Sequence, residues 1–308
     1  MSGFAIYNYN FLRIIRPNEE YQLEFPDWVK VNVQESFENR QQLLEELLLA
    51  DFEKPFPFEN ARKKPYWHKQ IVKTQDNVYV MRVANVTNVT ITDEHLMSQK
   101  YADYRNCLVI IDNRPGIQRI AIERKSTAFS HTKTVANILE ASFCKLLKSK
   151  LLKVELSAVY SSNVFWDMLK KYPNGFSKVT FHFPHLNLDR LTKVMDKYLK
   201  TAREDWDSDL DFTFGANEGG AVKIDPENSR QTALIAGASG AGAWIKMLPN
   251  GEKGKAILCG KDQFVVRELD SEVFNNLVIG AQPIPGMGQS AMDKVKSFMK
   301  DMPDTFTH

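Results

Sequence analysis

Residues 107–123, CLVIIDNRPGIQRIAIE, place two apolar runs on either side of Arg-Pro-Gly, and this arrangement restricts the fold more than any other stretch. Pro115-Gly116 suits the centre of a type II turn, which needs a positive φ at its third residue. The pattern predicts a hairpin in which Asp112 faces Arg119. We therefore expect antiparallel pairing in this part of the chain.

The rest of the first half also favours hairpins, with two helices among them. A hairpin is predicted over residues 7–25, with Pro-Asn in its turn, and two strands are predicted over 68–85. Apolar residues recur at helical spacing after Ser36, which is the candidate N-cap of a helix that runs to about residue 52. A second, longer helix is predicted over 126–152.

The second half changes to an alternation of strands and helices joined by short links. The predicted order is a strand at 152–159, a helix at 161–172, a strand at 177–183, a helix capped by Asn187, a helix from Asp225-Pro226 to Gly237, a hairpin at 243–260, a strand at 264–269 and a helix at 289–300. Such a pattern predicts an α/β segment with a C-terminal hairpin layer. The whole chain is expected to be α+β, with domains over 1–155 and 156–308.

Charge is segregated along the chain, although the net charge is only +2. Residues 119–153 hold eight Lys/Arg against two acids, and residues 203–227 hold eight acids against two Lys/Arg. The three cysteines form no CxxC pair, which argues against a disulfide framework and a zinc site. With no apolar run that could span a bilayer and no signal-peptide pattern, we expect a cytoplasmic protein with no membrane association and no cofactor or metal.

Asp112, Glu123 and Lys125 resemble the carboxylates and lysine of a metal-dependent nuclease. The predicted hairpin pairing sets the two carboxylates four residues apart, roughly 13 Å along the ladder. Oxygen ligands must lie within about 2.0–2.6 Å of a divalent ion. Asp112 is therefore better interpreted as a turn residue that accepts a bond from backbone N–H near Arg114. A bulge or another register would bring the pair together, so the nuclease stays as an alternative.

Three other motifs suggest function but have simpler explanations. The glycines of 237–242 lack the strand-then-helix order of a dinucleotide site, so a flexible connection is expected there. The alternating aspartates of 205–211 lack the glycine and closing glutamate of a calcium loop, which favours an acidic linker. His182 and His185 fall on opposite faces of a strand, which argues against a shared metal.

The basic stretch ARKKPYWHKQIVK at 61–73 contains no acid and interleaves cations with rings. Cations that neutralise phosphates beside rings that stack on bases are typical of nucleic-acid binding. A soluble surface loop anchored by Trp67 is the alternative. The candidate nucleic-acid-binding residues, which include hairpin arginines and helix lysines, are Arg62, Lys63, Lys64, Tyr66, Trp67, Lys69, Arg114, Arg119, Lys145 and Lys148.

A resemblance in element order points the same way. VIID…QRIAIE leads into AF, a long helix over 128–152 and a strand, helix and strand; a helix, a Gly-rich link, a strand and the PNGEKG hairpin follow. Over about residues 75–260 this resembles the layout of phage-exclusion proteins of the Rex A type and of accessory subunits of other bacterial antiphage systems. The resemblance implies mixed α/β domains and DNA binding without base specificity. It carries over no functional residue.

The sequence therefore predicts a non-enzymatic, sequence-independent nucleic-acid-binding protein of bacterial antiviral defence, with DNA as the expected partner. One alternative is a protein-interaction subunit of a larger complex or a homodimer, in which basic and acidic segments pair. The other is a metal-dependent nuclease that uses Asp112, Glu123 and Lys125.

Overall fold

The computed structural model describes residues 2–14, 33–72, 77–92, 94–183, 209–251, 256–260, 265–270 and 287–300. It is a mixed α+β structure, as the sequence predicts. The chain forms two compact units. The first comprises Met1–Ala5, Phe11–Leu156 and Arg267–Lys300, and the second comprises Ile6–Asn10, Ser157–Val266 and Asp301–His308.

Most of the strands lie in one large sheet. The elements up to residue 158 are β1 (Ser2–Arg13), α1 (Val33–Glu38), α2 (Arg40–Glu53), β2 (Phe58–Glu59), β3 (Pro65–Val72), β4 (Val78–Thr92), β5 (Ser98–Asp112), β6 (Arg119–Glu123), α3 (Thr132–Leu147) and β7 (Leu152–Ala158). Strand β12 (Val266–Leu269) and helix α6 (Met287–Lys300) follow near the C-terminus. The sheet order is β12-β1-β6-β5-β4-β3-β2, and β7 pairs with β1.

The β5–β6 hairpin has the predicted register. Asp112 lies opposite Arg119, and Gly116 has a φ of 74°. Asp112 Oδ1 accepts a bond from Arg114 N at 3.1 Å, so its predicted turn role is confirmed. Each pair of neighbouring strands from β2 to β6 is antiparallel.

Strands β4 and β5 are buried at one end and open at the other. Residues 78–81 and 107–112 are buried on both faces of the sheet, which requires the continuous apolar runs seen there. Strand β3 pairs with β4 at 80–84, and β6 pairs with β5 at 109–112. Within the part of the chain that the structure describes, residues 85–92 and 98–106 therefore pair only with each other. We call this segment the β4–β5 ribbon.

Both helices predicted in the first half begin elsewhere. Ser36 lies inside α1 and does not cap a single long helix. The helical conformation is interrupted at Asn39, and α2 begins at the next residue. Helix α3 begins at Thr132, after its N-cap His131, rather than at Ser126. Ala128 and Phe129 instead form a buried turn on the carbonyl of Lys125. The predicted strand near residues 21–25 lies outside the described residues.

The second unit contains a four-stranded antiparallel sheet. Its elements are α4 (Asn163–Lys171), β8 (Phe176–Phe183), β9 (Leu210–Gly215), α5 (Ser229–Ala241), β10 (Trp244–Pro249) and β11 (Ile257–Cys259). The sheet order is β11-β10-β8-β9. Phe181, Phe183, Ile245 and Met247 point into a core that contains Phe165 of α4 and Ile235 of α5. The acidic segment was expected to be a linker up to residue 211, but Asp211 is part of β9.

Helix α5 corrects two expectations about the glycine-rich segment. The helix begins at Ser229, because Asn228 Oδ1 accepts bonds from Arg230 N at 3.1 Å and Gln231 N at 3.3 Å; Asp225 is not the cap. It also continues through Gly237 and Gly240, so this segment is helical rather than a flexible connection. Gly242 ends it with a φ of 77°, where a Cβ would lie 2.7 Å from that of Ser157.

Helix α6 is close to the predicted closing helix. The helix predicted with Asn187 as its N-cap lies outside the described part of the chain. Among the helices that are described, none is long and apolar enough to cross a membrane.

Candidate nucleic-acid interface

One face of three adjacent strands in the first unit collects rings and cations. Trp67 of β3 lies opposite Ala84 of β4, which lies opposite Asn106 of β5. Directly opposed residues share a face, as do residues two positions away. Together the members form what we call the β3–β5 face: Trp67, Lys69, Arg82, Ala84, Tyr104 and Asn106.

A pocket of about 600 Å³ is lined by the six residues of this face together with Asp51, Pro55, His68 and Gln70. Ala84 is 7% exposed and lies between Trp67 and Asn106 in the register. Its side chain is the smallest in that row, so it leaves a depression between larger neighbours. The β3–β5 face therefore has concave relief instead of a flat surface.

The two rings of the face are open to solvent. Trp67 is 62% exposed and Tyr104 is 47% exposed. Their centroids lie 5.7 Å apart, with ring planes at 85°, so they contact each other edge to face. This geometry fixes both rings while leaving much of their surface available, which is unusual for large aromatic residues in a folded domain.

One of the two cations of the face, Arg82, is held by its neighbours. Arg82 Nη1 donates to Asn106 Oδ1 at 2.7 Å, and Asn106 Nδ2 donates to the carbonyl of Tyr104 at 3.0 Å. These bonds restrict the guanidinium and keep it on the face. Lys69, directly opposite Arg82, is exposed.

The loop between β2 and β3 presents three more cations. Asn60 Oδ1 accepts from the backbone N–H groups of Arg62 and Lys64, each at 3.0 Å. Lys63 lies between them with a φ of 60°, a conformation that costs a non-glycine residue roughly 1–2 kcal/mol. All three cations are exposed. The side chain of Asn60 thus holds a short loop that exposes three cations, although the backbone of one of them, Lys63, is strained.

Strand β3 is anchored from its other face. Asp51 of α2 is 1% exposed, and its carboxylate lies 2.7 Å from His68 Nε2. It also accepts bonds from Gln70 Nε2 at 2.9 Å and Phe56 N at 3.0 Å. His68 stacks on Phe58 with centroids 3.7 Å apart. A buried carboxylate satisfied in this way stabilises the strand that carries Trp67 and Lys69.

Several predicted binding residues have other positions. Tyr66 is 9% exposed and packs against Phe129, so its ring is not open to a base. Arg119 is 2% exposed and donates to the carbonyls of Met299 at 2.6 Å and Lys300 at 3.3 Å. Arg114 donates to the carbonyl of Lys296 at 2.9 Å. Both arginines therefore cap the C-terminal turn of α6, where carbonyls attract cations, instead of facing solvent as phosphate ligands.

The helix lysines are separate from the open cations. Lys145 pairs with Glu59 Oε2 at 2.9 Å. Lys148 begins the 3₁₀ turn that follows α3. Neither belongs to the β3–β5 face, on which the exposed Lys69 lies beside the exposed rings of Trp67 and Tyr104.

The nuclease candidates do not converge. Asp112 is fully buried, and both its oxygens accept bonds from Arg114, at 2.6–3.2 Å. Glu123 Oε2 accepts a bond from Leu108 N at 2.9 Å, which places it four residues along the ladder. Lys125 is exposed beyond the strand. Among the described residues, no group of three or more His, Cys, Asp or Glu is placed to hold a metal ion.

A second ring on a sheet surface is covered. In the second unit, His182 stacks on Trp244 with centroids 4.4 Å apart, and His182 Nδ1 lies 2.5 Å from Asp211 Oδ1. Lys178 and Lys246 are exposed on the same outer surface. Trp244 is half-buried under His182, so it is not open in the way that Trp67 is.

Sequence reasoning found Trp67 and Lys69 but missed Arg82, Tyr104 and Asn106. These three come from strands whose alignment with β3 cannot be read from a single stretch. The available signal was parity: once β4 and β5 are paired, alternate residues fall on one face. A scan against protein-family models and a search of curated proteins found no match for the chain.

Proposed function

We propose that this protein binds nucleic acid through the β3–β5 face and the adjacent β2–β3 loop. The observation that carries the proposal is the register that places the exposed rings of Trp67 and Tyr104 beside the exposed Lys69 and the half-buried Arg82. Cations neutralise phosphates and rings stack on bases, so this combination suits nucleic acid better than a purely charged ligand.

The charges on this surface are available for a ligand. Arg62, Lys63 and Lys69 have no acidic partner among the described residues, in contrast to Lys145 with its bond to Glu59. Lys64 lies over the ring of Tyr66 at 5.1 Å, which still leaves its charge unneutralised. A polyanion could therefore contact at least these four cations without displacing an ion pair of the protein.

The proposed binding is independent of base sequence and non-enzymatic. Flexible cations and ring surfaces make the same contacts with any base order. Arg82, which would be suited to reading a base edge, already bonds to Asn106. We place this activity in bacterial antiphage defence on the resemblance in element order, with DNA as the expected partner.

Protein interaction is the second candidate function, and the β4–β5 ribbon favours it. Ile91 and Tyr101 on this ribbon, and Leu96 and Met97 in the turn that joins its strands, are 50–84% exposed. An isolated two-stranded hairpin is only marginally stable in water, and clustered exposed apolar side chains often mark contact surfaces. Size in solution, measured against protein and salt concentration, would show whether the ribbon joins copies or a charged partner.

Charge reversal tests the main proposal. Lys63, Lys64 and Lys69 are replaced together by Glu, and the control replaces the exposed Lys171, Lys178 and Lys246 of the second unit by Glu. Both variants change the net charge equally. Fluorescence anisotropy with labelled DNA and RNA, at about 50 and 200 mM salt, should show strong salt dependence for wild type and control.

The first variant should lose binding, since its surface repels phosphates. Equal affinities for the two variants would overturn the placement of the site. No binding by the wild type at the lower salt concentration would overturn the function itself.

A further inference from the structure

The pocket on the β3–β5 face has features that a duplex cannot use. It is lined by the edge-to-face rings of Trp67 and Tyr104, by Lys69 and Arg82, and by the small side chain of Ala84. The rest of the lining comes from Asn106 and from Asp51, Pro55, His68 and Gln70, and the carboxylate of Asp51 is already bonded to His68 and Gln70. Paired bases in a duplex are stacked on one another, so their planes cannot reach a ring on a protein surface. Open rings of this kind contribute to affinity only when a base is unpaired.

We propose that the β3–β5 face takes single-stranded nucleic acid, with one unpaired base stacked on Trp67 over Ala84. This inference rests on the proposed function and names its substrate class. Trp67 supplies the larger open ring, 62% exposed, and Tyr104 buttresses it from the side. The pocket of about 600 Å³ has room for a base and part of its sugar.

The cations are spaced to follow the strand that carries that base. Lys69 lies two residues along β3 from Trp67, roughly 7 Å away, which is within the span of one nucleotide. Arg82 lies opposite Lys69 and is steadied by Asn106. Exposed Arg62, Lys63 and Lys64 precede β3 and extend the positive surface beyond the pocket. The path suits one flexible backbone better than a rigid double helix.

The stacking contact does not discriminate between bases, because every base has a π-face. The polar groups beside the pocket bond to each other, as in the Arg82–Asn106–Tyr104 chain. The site is therefore expected to select single strands over duplexes without selecting a base sequence.

Two substitutions separate stacking from charge. Trp67→Ala removes the open ring, and its exposure means that the fold tolerates the change. Ala84→Leu fills the floor of the pocket without changing any charge. Trp67→Phe is the matched control, since it keeps a ring at the same position. Each is tested by anisotropy at one salt concentration on three ligands of roughly 16 nucleotides: a single strand, a duplex of the same sequence, and the strand with central abasic sites.

We expect the wild type to bind the intact strand more tightly than the duplex or the abasic strand. Trp67→Ala should weaken binding to the intact strand by about 5- to 150-fold and leave binding to the duplex within about twofold. Ala84→Leu should act in the same direction, and Trp67→Phe should retain most of the affinity. Duplex binding as tight as that of the strand, or equal losses on both, would overturn the single-strand inference while the proposed function stands. No binding to any of the three ligands would overturn the proposed function.

Discussion

The β5–β6 turn and the β3–β5 face both contain arginines beside polar side chains, but they use them differently. At the turn, Arg114 bonds to the buried Asp112, and Arg119 is 2% exposed with its charge directed at α6. On the face, Arg82 bonds to the neutral side chain of Asn106 and has no acidic partner within the described parts of the chain. The arginines next to a carboxylate or a helix C-terminus are structural here, whereas our proposal assigns a binding role to the arginine next to an amide.

The same contrast applies to the aromatic residues. Tyr66 and Trp67 are neighbours in sequence, yet strand alternation buries the first ring and exposes the second. A basic-aromatic stretch therefore contributes only every second side chain to a surface. The partners that complete the surface come from other strands.

The largest effect should come from breaking the arginine contact with α6. Arg119→Met removes the donors to the carbonyls of Met299 and Lys300, so the last turn of α6 loses its most buried cap. We expect the free energy of unfolding to fall by about 3 kcal/mol, measured by urea denaturation. Nucleic-acid affinity of the folded protein should stay unchanged. A stable variant with reduced affinity would reverse the roles assigned to the two regions.

Removal of the second ring of the β3–β5 face should affect binding more than stability. Tyr104→Ala deletes the edge-to-face partner of Trp67 and part of the stacking surface. We expect a loss of about 1–2 kcal/mol in binding free energy by titration, with little change in melting temperature. Tyr104→Phe, which keeps the ring, should bind like the wild type. Equal losses for both variants would show that the hydroxyl group, not the ring, makes the contact.

The amide that steadies Arg82 should have a smaller effect. Asn106→Ala removes the acceptor at 2.7 Å, so Arg82 becomes mobile and must be ordered on binding. A loss of about 1 kcal/mol in binding free energy is expected. Asn106→Asp is the informative comparison. The Asp side chain still accepts the bond from Arg82, but its charge neutralises that of Arg82. The loss of affinity in Asn106→Asp should therefore be greater than in Asn106→Ala, and it should vary more with salt concentration. An Asp variant that bound more tightly than the Ala variant would contradict an electrostatic role for Arg82.

The smallest effect is expected at the strained residue of the β2–β3 loop. Lys63→Gly relieves the positive φ and removes one charge, so stability should rise by about 0.5 kcal/mol while affinity falls. The slope of log affinity against log salt should decrease by about 1 unit. Lys63→Ala removes the same charge without relieving the strain, so it should match the affinity of the Gly variant and lack its gain in stability. If the Gly and Ala variants were equally stable, the strain would be absent in solution.

Much of the fold was predictable because short-range patterns decide it. Pro115-Gly116 fixed the β5–β6 register, and alternation along 177–183 defined β8. Helix starts were less predictable. Ser126 and Asp225 are residue types that often cap helices. However, Phe129 is buried in a turn, and the first helix begins after it at Thr132. The side chain of Asn228 caps the second helix, which begins at Ser229.

The candidate site was only half predictable, because it depends on long-range pairing. Trp67 and Lys69 are visible in one stretch, but Tyr104 joins them through the pairing of β4 with β5. Arg119 appeared available in the sequence, and only the position of α6, 180 residues along the chain, explains its burial. Local composition reports how many cations exist, whereas tertiary packing determines which of them are open.

Photocrosslinking tests the central claim most directly. A single strand that carries 5-iodouracil is irradiated with the wild-type protein, and crosslinked peptides are mapped by mass spectrometry. Our account predicts adducts at Trp67 or Tyr104, and their loss when an unlabelled strand competes. Competed adducts that fall instead on the β5–β6 turn or on the outer sheet surface of the second unit, near Trp244, would contradict it.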